Sequence, residues 1–273
     1  MQIEKATSLG ILSATRKTQN SYSKVLEKLS TGLRINRASD DAAGLSVSEE
    51  MRTQIRGFQA ANTNLDYAAA AQNIAEGTGN ETAAILQRQR ELAIQADNGT
   101  LTQANRDVLN QEFQQLNAEL TRQANASRFN TQNVANGQDL AKGNGQVLAA
   151  PNPGSELNIV GADFTAANLG TAAADITTPA NAQNALKAVD TALKAVSQQR
   201  TDIGANLNRI AYAQESNTNG VVNTQDAESR LRDQDFAEGV MQSTRDQLLN
   251  QSAMMALQNF NEISRNNMMQ LLQ

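Results

Sequence analysis

The residues best placed to do chemistry are two adjacent acids, Asp40 and Asp41, preceded by Ser39. Paired carboxylates can work as general acid and base, or hold a metal ion, when a third ligand or a base stands at helical spacing beside them. None does here. The chain has no histidine and no cysteine, which removes Ser-His-Asp catalysis, thiolate nucleophiles, disulfides and the ordinary zinc ligand sets together. The two acids stand just before the run AAGLSVSEEMRTQI, where short side-chain oxygens and negative charge meet free N–H groups and the positive end of a helix dipole. They read as a helix cap. The expectation is therefore a chain that is not an enzyme and needs no cofactor or metal. Asn-X-Ser/Thr triplets at Asn80, Asn98, Asn125 and Asn250 fit the glycosylation acceptor pattern, but in so Asn-rich a chain they are chance.

The elements that carry these residues are helical. Aromatics make up only 3% of the 273 residues and tryptophan is absent, too few to fill a bulky globular core. Ala, Leu, Ile, Met, Gln and Asn dominate, a mix suited to long helices packed closely through small side chains. The fold class expected is mainly α, an elongated helical bundle rod with paired terminal coiled-coil helices and a small β-hairpin region in the middle. A net charge of −5 argues against nucleic acid as a partner, because phosphate binding needs clustered Lys and Arg. No apolar run approaches the roughly 18 residues of a membrane span, so no membrane partner is expected. The opening MQIEKATSLGILSATRK lacks the pattern of a cleavable signal peptide.

Along the chain, Ile11, Thr15, Thr18, Tyr22, Val25 and Leu29 recur at spacings of four and three, the seam of a helix built to lie along another. Gly32 breaks it. A second helix is expected over residues 42–97, through Val47, Met51, Ile55, Phe58, Leu65, Leu86 and Leu92, with a weak spot at Gly77 and Gly79. The run Asp97-Asn98-Gly99-Thr100 should then reverse the chain. A third helix over 103–127 would turn Val108, Phe113, Leu116 and Leu120 inward. The three prolines fall at or inside residues 131–180, where 146–148 and 157–160 read as short strands of a hairpin or two. A fourth helix over 180–228 carries Ala185, Val189, Val196, Ile203 and Ile210. In the last, over 235–272, Leu249, Ala253, Ala256, Phe260 and Ile263 keep the four-three rhythm, backed by Leu248, Met254, Leu257 and Met268.

Neither terminal segment can bury its stripe alone, and a lone helix of this kind is marginal in water. Pairing first with last is the economical solution, and it still leaves apolar surface for further copies to cover. Repeated contacts that do not close on themselves give a filament. The polymerisation seam expected is Ile11, Tyr22, Val25 and Leu29 with Leu249, Ala253, Leu257, Phe260 and Ile263.

The run LSTGLRINRASDDAAGL at residues 29–45 resembles the signature of bacterial flagellins. QRQRELAIQADNGT (87–100), SRFNTQNV (127–134), RTDIGANLNRI (200–210) and SRLRDQDFAEG (229–239) look like flagellin motifs in flagellin order. The usual opening is replaced by MQIEKATS, and the usual Gln-Ala-Asn-Gln near the end reads Gln258-Asn259-Phe260-Asn261. The resemblance implies a structural subunit that self-assembles as a homopolymer into the extracellular flagellar filament and serves swimming. It implies an inner tube domain of residues 1–35 and 236–273, connecting spokes at 36–43 and 229–235, a rod domain of 44–130 and 180–228, and a hairpin region, 131–179, in place of outer domains. It also implies type III export in the unfolded state and partnership with an export chaperone, the cap and hook-filament junction proteins. Arg88, Leu92 and Glu112 match positions by which many flagellins engage Toll-like receptor 5 as monomers. A hook-filament junction protein shares the terminal helices and is the close alternative. A cytoplasmic coiled-coil adaptor is a more distant one.

Overall fold

The heptad repeat of the first segment winds into α1 (Gln2–Thr31), and Gly32, at φ +71°, adopts the left-handed turn that ends it. The chain then forms α2 (Ala42–Ala96), α3 (Gln103–Ala126), strands β1 (Arg128–Phe129), β2 (Gln132–Asn133), β3 (Gln146–Leu148) and β4 (Glu156–Asn158), α4 (Pro179–Arg232) and α5 (Phe236–Leu271). This is a computed structural model, and it describes residues 2–138, 145–159 and 161–271. The mainly α class read from the sequence is the class observed, with two small antiparallel hairpins in the middle. Val160, expected in a strand, lies outside the described residues. The chain divides into two compact units, Met1–Thr53 with Asn223–Gln273, and Gln54–Val222.

In the second unit, α2, α3 and α4 share one core. Val189, Val196, Ile203 and Ile210 follow one another at seven-residue steps along α4 and are all buried. Val189, Val196 and Ile203 share a core with Leu86 and Leu92 of α2 and Phe113 and Leu120 of α3, with alanines such as Ala75, Ala93, Ala124 and Ala185 closing the gaps. Small side chains let helices approach closely, which is how a chain with few aromatics reaches a filled interior. Val108, expected inside, points to solvent at 65% exposure, and Arg106 takes an inner position instead. Arg106 donates to the Ala96 carbonyl at 3.0 Å and the Asn98 carbonyl at 3.0 Å, satisfying acceptors left open at the end of α2. That guanidinium pins the turn into α3.

No break occurs at Gly77 or Gly79, and α2 runs through both. Gly79 serves close packing, since a Cβ there would stand 3.0 Å from both Arg200 Cγ and Phe164 Cζ. Residues 161–178, within the hairpin region expected over 131–179, are threaded into the core by Phe164, Leu169 and Ile176. Buried amides tie this segment down: Gln89 donates to Asn117 Oδ1 at 2.9 Å, and Asn117 donates to the Thr171 carbonyl at 2.9 Å. A smaller cluster of Leu65, Ala68 and Ile210 receives Leu157 and Ile159 from the β3–β4 hairpin.

The β1–β2 hairpin was not foreseen. Its turn places Asn130 at φ +46° and Thr131 at φ +67°, the paired left-handed residues of a two-residue hairpin turn. A β-branched Thr in that region is strained, so the usual sequence signal for such a turn is missing.

Candidate functional site

Within the first unit, the C-terminal end of α1 meets the N-terminal end of α5, so the two helices pair antiparallel. Gly239 marks the close approach: a Cβ there would stand 2.7 Å from Leu29 Cδ2. On α1 the four-three stripe is the covered face, with Val25 buried and Ile11, Thr15, Thr18, Tyr22 and Leu29 half-buried. On α5 the covered face is Asp246, Asn250, Ala253, Leu257 and Phe260, again at steps of four and three. Leu249 and Ile263 lie off it, 50% and 59% exposed. The hydropathy rhythm mixes two stripes of α5, because the intramolecular seam passes through the polar Asp246 and Asn250 while leucine and isoleucine stand beside it.

Main-chain hydrogen bonds clasp the helix ends. Arg34 N–H donates to the Arg232 carbonyl at 2.7 Å and Gln234 N–H donates to the Gly32 carbonyl at 2.9 Å, a short antiparallel bridge centred on Leu33 and Asp233. The Arg34 guanidinium adds a bond to the Leu231 carbonyl at 2.7 Å. Ile35 is buried beside the clasp, and Arg232 reaches Glu49 at 3.3 Å and Glu228 at 3.7 Å.

The two candidate acids divide the work of this joint. Asp41 is the α2 cap, its Oδ1 accepting the Gly44 N–H at 2.9 Å. Asp40 faces the other way, its Oδ2 accepting the N–H groups of Arg37 at 3.1 Å and Asn36 at 3.3 Å. The Arg37 N–H, with Asn36 and the charges of Lys28 and Lys24, holds Asp40 below the usual carboxylate range. Asp235 caps α5, accepting the N–H of Ala237 at 2.9 Å. Among the described residues no group of three Asp or Glu side chains could hold a metal. No described helix is long and apolar enough to cross a membrane.

In the second unit, Arg88 and Glu112 pair on an exposed charged face of α2 and α3. Arg88 donates to Glu112 at 2.9 Å and to Glu91 at 3.1 Å, and Arg90 donates to Asp190 at 2.8 Å. The hydrogen bond from Glu112, then that from Glu91, raises the already high pKa of Arg88. These pairs are half-exposed, so they order the face more than they stabilise it. Leu92 is fully buried in the core, so it sets the position of the face without being part of its surface.

Residues 4–139 match the family model described as the bacterial flagellin N-terminal helical region, and residues 186–272 match the bacterial flagellin C-terminal helical region. The chain is 43% identical over 245 residues to a flagellin of Halalkalibacterium halodurans, covering 89% of each chain. It is 38% identical over 261 residues to flagellin FlaB2 of Treponema pallidum, covering 89% of this chain and 90% of the other. The 33 kDa core protein of the flagellar filament of Treponema phagedenis is 37% identical over 258 residues, with 89% and 90% covered. Among solved structures, Bacillus cereus flagellin superposes with a TM-score of 0.50 at 23% identity, over 57% of this chain and 88% of that one, a likeness of fold.

The geometry of the joint makes two predictions. At Gly44 a Cβ would stand 2.4 Å from Asp41 Oδ2 and 2.9 Å from Ile35 Cδ1. Gly44→Ala should therefore displace the cap and cost about 1–2 kcal/mol, the range for losing one, measurable as a lowered melting temperature. Asp40 has a folded pKa below its unfolded one, so its contribution is present above the ordinary carboxylate value and lost as pH falls through the depressed folded value. The Arg37 amide resonance should report that titration with a midpoint below the ordinary value, and Asp40→Asn should abolish it. A midpoint at or above the ordinary value would mean the contact with Arg37 does not hold in solution.

Proposed function

The chain belongs to the bacterial flagellin family, and we propose that it assembles through its own terminal helices into the extracellular flagellar filament. It is a structural subunit and not an enzyme. The observation that carries the assembly reading is apolar surface left open by the α1–α5 pair: Leu9, Leu12 and Leu26 on α1, and Leu249, Met255 and Ile263 on α5, are exposed in the single chain. Exposed apolar side chains in this number on two paired helices mark a surface that another copy covers.

In this reading residues 1–35 and 236–273 form the inner tube, 36–43 and 229–235 the spokes, 44–130 and 180–228 the rod domain, and 131–179 a reduced outer region. The seam residues Ile11, Tyr22, Val25 and Leu29 align α1 on α5 through Ala253, Leu257 and Phe260, and Leu249 and Ile263 contribute to contacts with neighbouring copies. The chain is exported unfolded, is held by an export chaperone before export, and assembles beneath a cap onto junction proteins. As a monomer it presents Arg88 and Glu112 to Toll-like receptor 5.

Inducing polymerisation of the purified chain should give long tubes by electron microscopy, while a variant lacking residues 236–273 should give none. Tubes from the truncated chain would overturn the role of α5. For the receptor face, Arg88→Ala should lower signalling by the monomer in reporter cells with its melting unchanged. Leu92→Ala should act by unfolding, at a cost of about 2–5 kcal/mol, the range for emptying a buried leucine site. Full signalling from a folded Arg88→Ala monomer would remove this face from the proposal.

A further inference from the structure

The α5 helix carries a second line of residues on the side away from α1. Met241, Leu248, Met255 and Met269 stand at multiples of seven residues, so they share one face of the helix with only a slow angular drift. They are 67%, 58%, 58% and 61% exposed. The one heptad step of this line that is not apolar is Glu262, also exposed. The chain has seven methionines, five of them between positions 241 and 269, whereas Met51 of α2 is half-buried. Three exposed thioethers, Met241, Met255 and Met269, thus lie where α5 faces away from α1.

A complementary surface exists on α1. Leu9 and Leu12 line a shallow groove with Arg16, Lys17 and Lys24, on a helix that is basic within an acidic protein. An apolar stripe interrupted by one carboxylate matches a leucine groove edged by cations, and both surfaces are uncovered in the single chain. The occupant that fits the stripe is a second copy of this chain, offering its α1 groove.

We propose that the outer stripe of α5 is a peroxide-sensitive assembly face, covered in the filament by a second copy, in which oxidation of Met241, Met255 and Met269 blocks assembly. The inference rests on the assembly reading above. In the reaction the methionine sulfur attacks one peroxide oxygen and the O–O bond breaks. The sulfide is oxidised by two electrons to the sulfoxide, and hydrogen peroxide is reduced to water. A flexible apolar side chain becomes one bearing a strong hydrogen-bond acceptor, which a covered apolar contact cannot satisfy. Because the stripe points away from α1, the change leaves the α1–α5 pair and the second unit folded.

The test uses the full chain. Monomer is treated with hydrogen peroxide, its sulfoxides are located by peptide mapping, and its helicity and polymerisation are followed by circular dichroism and electron microscopy. Oxidation of the three methionines should reduce the polymerised fraction at least about tenfold, the effect of losing one good contact, with helicity retained. Treatment with a methionine sulfoxide reductase should restore polymerisation. For the variant Met241→Leu/Met255→Leu/Met269→Leu, whose polymerisation is compared only with its own untreated level, peroxide should cause no further loss. In preformed filaments the three sulfurs should oxidise several-fold more slowly than in the monomer. Equal oxidation rates in filament and monomer, or loss of polymerisation by the oxidised leucine variant, would overturn the proposal while leaving the assembly reading in place. An untreated chain that forms no filament would overturn both.

Discussion

Two main-chain hydrogen bonds, Arg34 to Arg232 and Gln234 to Gly32, join stretches of chain about two hundred residues apart, and they fix where α1 meets α5. Closing so long a loop costs chain entropy that grows only slowly with length, so the second unit can fold between the two ends without penalising the clasp much further. What the clasp closes is a modest interface. On α1, Val25 alone among the seam residues is buried, and threonines occupy two of its places. On α5, Asp246 and Asn250 occupy two more. Such a seam aligns the helices without saturating them, as the proposed assembly through the terminal helices requires.

The second unit solves a different problem. With few aromatics to fill space, it brings three helices close on alanine and aliphatic side chains and then fixes their register with buried amides and one buried guanidinium. Each buried polar group that finds its partner allows one arrangement and makes others costly. The charged face around Arg88 inherits its geometry from that interior, because Leu92, one turn along α2, is fully buried. Exposed ion pairs of this kind contribute little to stability, so the face owes its order to the helices beneath.

Helical periodicity carried most of this architecture in plain view. The α1 stripe and the α4 stripe of Val189, Val196, Ile203 and Ile210 are legible because regular spacing and burial coincide there. Legibility fails where burial and hydropathy part company. Arg106 is buried and Val108 is exposed because the guanidinium has two carbonyls to satisfy, a demand no hydropathy pattern registers. Residues 161–178 have no period at all, yet they enter the core because Phe164, Leu169 and Ile176 find cavities between helices that are themselves regular. On α5 a surplus of apolar residues hid the seam, since two apolar lines share one helix and only the pairing with α1 separates them.

The adjacent acids show how the same residue types are turned from chemistry to structure. A carboxylate becomes a catalytic base or a metal ligand when its lone pairs are free to meet something from outside. Here Asp40 and Asp41 point in opposite directions along the chain and give their oxygens to backbone N–H groups. Asp163, Asp175 and Asp235 do the same at later turns. Asp175 is held below the usual carboxylate range, chiefly by the Thr177 hydroxyl and the Asn181 amide, as Asp40 is by Arg37. The depressed pKa values of Asp40 and Asp175 run opposite to the raised values of a catalytic acid, so the electrostatics of these two carboxylates favours fixed negative charge over proton exchange. The acids therefore place the helices, and the function they serve is the placement itself.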